Sequence, residues 1–166
     1  MSARSRNDLL SGAVRLREEG RHEEARAALL DLAARFPQDA EVAYQAAWIH
    51  DVLGLEAEAV PYYERALAGD ALSEEDRRGA LLGLGSTYRV LGRYGQAVET
   101  LRLGVARYPE DGALRAFLAM ALYNTGAHRE ATGTLLEVLA ATSGDPSVQR
   151  YRRALTHYAG DLDATV

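Results

Sequence analysis

The sequence predicts an all-α fold: a right-handed α–α superhelix of four helical hairpins, closed by a C-terminal capping helix. Three observations predict it. Four glycines, Gly20, Gly54, Gly92 and Gly126, recur at separations of 34, 38 and 34 residues. At fixed offsets from each glycine the same kind of side chain returns. Alanine stands five residues after at Ala25, Ala59, Ala97 and Ala131, and a small residue seven before at Ala13, Ala47, Gly85 and Ala119. Finally, 30 of the 166 residues are alanine and only one is isoleucine, which favours helices in close contact. Self-similarity at this period marks stacked helical units.

Each hairpin is built the same way. From eleven to four residues before the glycine, apolar positions fall at i, i+3, i+4 and i+7, one face of a helix. That stripe ends at Leu16, His50, Tyr88 and Leu122. The glycine then permits a left-handed turn. A second helix follows, with Leu29, Tyr63, Leu101 and Leu135 nine residues past the glycine. Seventeen past it, Pro37 and Pro109 end that helix or start the next in the first and third units, where Ala71 and Ser143 stand in the others. The repeats fall at about 6–39, 40–73, 78–111 and 112–145. One hairpin cannot hide its own apolar face, so neighbours stack around a continuous core.

Two departures are informative. The longer second spacing adds four residues, about one helical turn, around Ala71–Asp76. It predicts an extended first helix in the third hairpin, with Ser73 as N-cap and acidic residues in the first turn. After the fourth hairpin, Asp145–Pro146 reads as a cap followed by proline at the first helical position. The capping helix over 146–159 then carries Val148, Tyr151, Leu155 and Tyr158 as its inward stripe. The whole forms a single domain over 7–159, with flexible ends at 1–6 and 160–166.

These spacings resemble the tetratricopeptide-repeat family over roughly residues 7–159. The stretches YQAAWIHDVLGLEAEAVPYYERAL, GALLGLGSTYRVLGRYGQAV, ALRAFLAMALYN and YRRALTHYAGDLD further resemble small single-domain bacterial tetratricopeptide proteins. The resemblance implies protein binding, with homodimerisation as the alternative role, and brings no catalytic residues.

Composition narrows the function. The net charge of −5 lacks the basic excess of a nucleic-acid binder. Cysteine is absent, which removes disulfides, thiolate metal sites and cysteine nucleophiles. All 19 basic residues are arginine, so neither a Schiff-base lysine nor a phosphate-loop lysine exists. The first twenty residues carry no signal-peptide apolar run, and no 18-residue apolar stretch occurs. The expectation is a cytoplasmic protein that needs no cofactor or metal and touches no membrane.

In this architecture the first helix of each hairpin lines the concave surface. Residues thirteen, ten, six and three before each glycine face it: Asn7, Leu10, Val14 and Arg17, then Glu41, Tyr44, Trp48 and Asp51. The later repeats supply Gly79, Leu82, Ser86 and Arg89, then Ala113, Ala116, Met120 and Tyr123. The predicted partner-binding groove is Tyr44, Trp48, Asp51, Leu82, Ser86, Arg89, Met120 and Tyr123, with Asn124 beside it. Aromatics, methionine and arginine are enriched at interface centres. The competing expectation packs Trp48 between the first two hairpins and pairs Arg89 with Asp51. Chaperone-binding members of the family clamp a carboxylate with lysine and asparagine, but Leu10, Val14, Tyr44 and Trp48 occupy those places. A mixed apolar and charged groove suits an extended peptide or an amphipathic helix.

No catalytic constellation survives. His50 and Asp51 are adjacent on a helix and point about 100° apart, so they cannot pair as a relay. His50 lies in the core column and reads as a buried, hydrogen-bonded histidine. His22 and His128 stand two past the turn glycines, and the four histidines have no metal-ligand spacing. Gly83-Leu84-Gly85 lies mid-helix with no preceding strand, so it is not a phosphate loop.

Overall fold

A computed structural model describes residues 5–165, which form ten helices and no strand. Four hairpins pair α1 (Arg6–Glu18) with α2 (His22–Arg35), α3 (Ala40–Val52) with α4 (Glu56–Leu67), α5 (Glu74–Val90) with α6 (Tyr94–Arg107), and α7 (Gly112–Asn124) with α8 (His128–Thr142). Two short helices follow, α9 (Pro146–Arg150) and α10 (Arg152–Gly160).

Local chemistry sets these boundaries. Ser5, Asp39, Ser73 and Asp111 cap the first helix of each hairpin, each side chain accepting a backbone N–H three residues on. At each inner turn Gly20, Gly54, Gly92 and Gly126 adopt φ between 70° and 84°. The next residue then donates its N–H back to the carbonyl of Leu16, His50, Tyr88 or Leu122. That 6→1 bond satisfies a carbonyl the helix would otherwise orphan. The extended first helix is present: α5 has 17 residues against 13 in α1, α3 and α7.

Helix contacts reveal the curvature. Among the described residues the backbones of α1 and α3, α3 and α5, and α5 and α7 pack together, whereas those of α2, α4, α6 and α8 stay apart from one another and are reached by long side chains, as in the Arg102–Glu130 pair between α6 and α8. First helices therefore crowd together while second helices splay apart, which places α1, α3, α5 and α7 on the concave side. Helix α3 divides the core. Its Val42, Ala46 and Ile49 join Leu10, Ala13, Leu29 and Leu32, while Ala43, Tyr44 and Ala47 face a second cluster running on through α8.

The C-terminal expectation needs correction. The capping segment is two helices rather than one, broken at Tyr151, whose N–H bonds Val148 in a tight turn. Of its inward stripe, Val148 and Leu155 are half-buried, but Tyr151 and Tyr158 are 62% and 48% exposed. The break rotates α10 so that its Ala159 carbonyl approaches Gly133 of α8, where a Cβ would lie 2.5 Å from that oxygen. Arg6 is the first residue of α1 and pairs with Asp39 at 2.5 Å, while Asp161 and Asp163 lie against Arg129. Residues 1–4 and 166 of the expected flexible ends lie outside the described residues.

Candidate functional site

The concave face carries a pocket of about 480 Å³ between α3, α4, α5 and α7. Helix α3 contributes Tyr44, Trp48, Asp51 and Val52, and α5 contributes Gly79, Leu82, Gly83 and Ser86. Tyr63 of α4 and Phe117 of α7 complete it. Five of the nine predicted groove residues therefore meet around one cavity. Arg89 and Asn124 meet each other instead, 3.5 Å apart, while Met120 and Tyr123 are exposed on α7 outside the pocket. The Tyr123 ring leans on His128 at 4.8 Å.

Trp48 is 40% exposed, so its indole is partly wet. The Arg17 guanidinium of α1 lies 3.6 Å over its ring and also bonds Gln45. Tyr44 sits 5.7 Å from Trp48 and 6.4 Å from Tyr63, so three aromatic rings follow one another along the wall. Glycines make room for them. A Cβ at Gly79 would collide with the Tyr44 hydroxyl, and one at Gly83 would lie 2.5 Å from Tyr63 Cζ. The paired glycines of α5 are thus notches that admit aromatic rings, and in Gly85 the Leu101 side chain.

Asp51 sits among these rings, half-buried. Tyr63 Oη donates to it at 2.7 Å, and Thr87 Oγ1 lies 2.8 Å from one carboxylate oxygen and 2.9 Å from the other. The Arg89–Asp51 pair of the competing expectation does not form; the Tyr63 and Thr87 hydroxyls meet the carboxylate instead. No ion pair of the described residues includes Asp51. Burial raises its carboxyl above the ordinary aspartate range, and the Tyr63 and Thr87 hydrogen bonds only partly offset that. Burial likewise pushes Tyr44 up to about 12 and Tyr63 higher still. Arg89 keeps its buried Nε without a partner.

Tyr63, which the sequence places in the apolar column nine residues past the turn glycine, is 2% exposed, yet its hydroxyl reaches the pocket. A signal existed: Tyr63 stands in a column that is leucine in the other three repeats. His50 is buried as expected. Its Nδ1 lies 2.6 Å from the Ala46 carbonyl, Arg26 Nε donates to its Nε2 at 3.4 Å, and its ring stacks on Tyr62.

A family model described as tetratrico peptide repeat matches residues 40–162. No curated protein matches the chain. Three solved structures show its fold. The MamA protein has a TM-score of 0.72 at 17% identity, with 98% of this chain and 79% of that one covered. The APC/C hetero-tetramer Cut9–Hcn1 has a TM-score of 0.73 at 18% identity, with 93% of this chain aligned to 30% of that one. PilF of Pseudomonas aeruginosa reaches 0.69 at 18% identity, covering 95% and 74%.

Proposed function

The chain belongs to the tetratricopeptide-repeat family, and from that premise we propose that it is an interaction scaffold whose concave groove holds a peptide or partner protein. Proteins of this fold generally act as protein-binding scaffolds. One observation carries the groove assignment. The inner wall leaves Trp48 partly exposed in a pocket that it shares with Asp51, a carboxylate without an ionic partner among the described residues. Aromatic side chains of this kind, presented on a concave wall, are enriched at interface centres. The groove residues of this proposal are Tyr44, Trp48, Asp51, Leu82, Ser86, Arg89, Met120, Tyr123 and Asn124. It includes a cytoplasmic setting, no catalytic residue and no nucleic-acid or membrane partner. No helix of the described residues is long and apolar enough to cross a membrane.

The test is selection of a displayed random-peptide library on the wild type and on a Trp48→Ala, Arg89→Ala double variant whose helicity is intact. The wild type should enrich a peptide consensus that the variant fails to bind. Equal binding to both would refute the groove.

One feature favours a second reading, a homodimerising module without a separate peptide. Leu135, Leu139, Tyr151 and Tyr158 leave the α8–α10 end apolar and exposed. Light scattering across a concentration series decides it, since a monomer throughout removes the dimer.

A further inference from the structure

The pocket holds a charge that the fold itself does not answer. Asp51 receives two hydroxyl hydrogen bonds and no cation. A carboxylate offers about four lone-pair positions, so acceptor capacity remains on a group that lines the cavity. A structural acceptor for Tyr63 and Thr87 could be neutral; a buried carboxylate is costly unless something positive approaches it. The charged neighbours do not supply that cation. Glu56 is of the same sign, His50 is engaged by Ala46 and Arg26, Arg17 is held over Trp48, and Arg89 bonds Asn124 and forms no ion pair with Asp51. Tyr44 and Trp48 line the same pocket as Asp51, and aromatic faces attract cations, guanidinium especially. Arg17 already shows this wall accepting one.

We propose that this pocket recognises an arginine of the bound peptide, seating its guanidinium against the aromatic wall with its charge beside Asp51. The proposal rests on the groove reading and specifies what the groove selects. An arginine forks two N–H donors toward one carboxylate and stacks flat on an indole, which a lysine ammonium does neither of.

Four capped alanine pentapeptides test it, with arginine, citrulline, leucine or glutamate at the centre. Citrulline keeps the shape and loses the charge. Each is titrated into the full chain by NMR, with fluorescence of Trp48 in parallel. Arginine should bind at least about tenfold tighter than citrulline, the scale of a partly desolvated cation–π and carboxylate contact. Shifts should centre on the Trp48 indole and the amides of Gly79 and Gly83. In Asp51→Asn, which retains an acceptor for both hydroxyls, the gap between arginine and citrulline should close. Equal binding of these two peptides overturns the proposal, as does an unchanged preference in Asp51→Asn. If leucine wins while shifts stay in the pocket, the arginine inference falls and the groove stands. If shifts map elsewhere or none occur up to about 10 mM, both fall.

Discussion

Replacing Gly83 by alanine should destabilise the protein, although alanine is the better helix former. Three effects compete. Alanine in a helix interior gains about 1 kcal/mol over glycine. Against it, the new Cβ would lie 2.5 Å from Tyr63 Cζ and 2.8 Å from Cε1, atoms of a ring that is 2% exposed. Overpacking of that kind costs about 1–3 kcal/mol. Displacing the ring also breaks the 2.7 Å hydrogen bond to Asp51, worth about 1.5–3 kcal/mol for a charged acceptor. The net expectation is a loss of about 1.5–5 kcal/mol. Gly12→Ala is the control: nothing lies within 4 Å of that Cβ in the middle of α1, so it should stabilise by about 0.5–1 kcal/mol. Urea unfolding followed by far-UV circular dichroism measures both. A Tyr63→Leu background, the residue found elsewhere in this column, should make Gly83→Ala tolerated, because the ring is gone. Equal signs for the two glycine variants, or no rescue by leucine, would refute the notch.

The remaining predictions are briefer. Glu74 is held at about 2 by Arg107 and Tyr108. A depressed carboxyl contributes stability above its unfolded value, near 4.5, and loses it as pH falls toward 2. The melting-temperature gap between wild type and Glu74→Gln should therefore be present at pH 7, narrow through that window and vanish below it; a pH-independent gap contradicts this. Asp51 has the opposite sign. Its raised folded value means its contribution is present below the unfolded 3.8 and lost as pH rises through the folded value. At pH 7 Asp51→Asn should then be at least as stable as wild type, and a loss beyond about 1 kcal/mol would disprove it. Gly92→Ala forces a Cβ onto a φ of 73° and should cost about 1–2 kcal/mol by urea unfolding.

The repeat was legible because its determinants are local. A glycine that must turn left-handed and alternating side-chain-capped helices all declare themselves within a few residues of chain. Ser73 and Asp145 cap as expected for the same reason. The groove was half legible. Helical offset correctly brought Tyr44, Trp48, Asp51, Leu82 and Ser86 together, but it cannot decide which nearby polar group wins. Arg89 and Asp51 looked like a pair by sign, whereas Tyr63 and Thr87 reach the carboxylate first. Periodicity places Tyr63 in the apolar column of the second helix and says nothing of its hydroxyl, since it locates a Cα and not the far end of a phenol. The break at Tyr151 has no breaker residue to announce it, and Gly133 against Ala159 shows its reason only in three dimensions.

Helix α3, buried on both flanks, has a practical meaning for anyone trimming the chain. The family match begins at Ala40, where α3 starts, which invites deletion of everything before it. Such a truncation would strip the cover from Val42, Ala46 and Ile49 and take Arg17 off Trp48. The shortened protein would retain its pocket walls and gain a sticky apolar strip, so it should self-associate. The first hairpin is, in effect, the end-plate that keeps the remaining stack from finding another copy of itself.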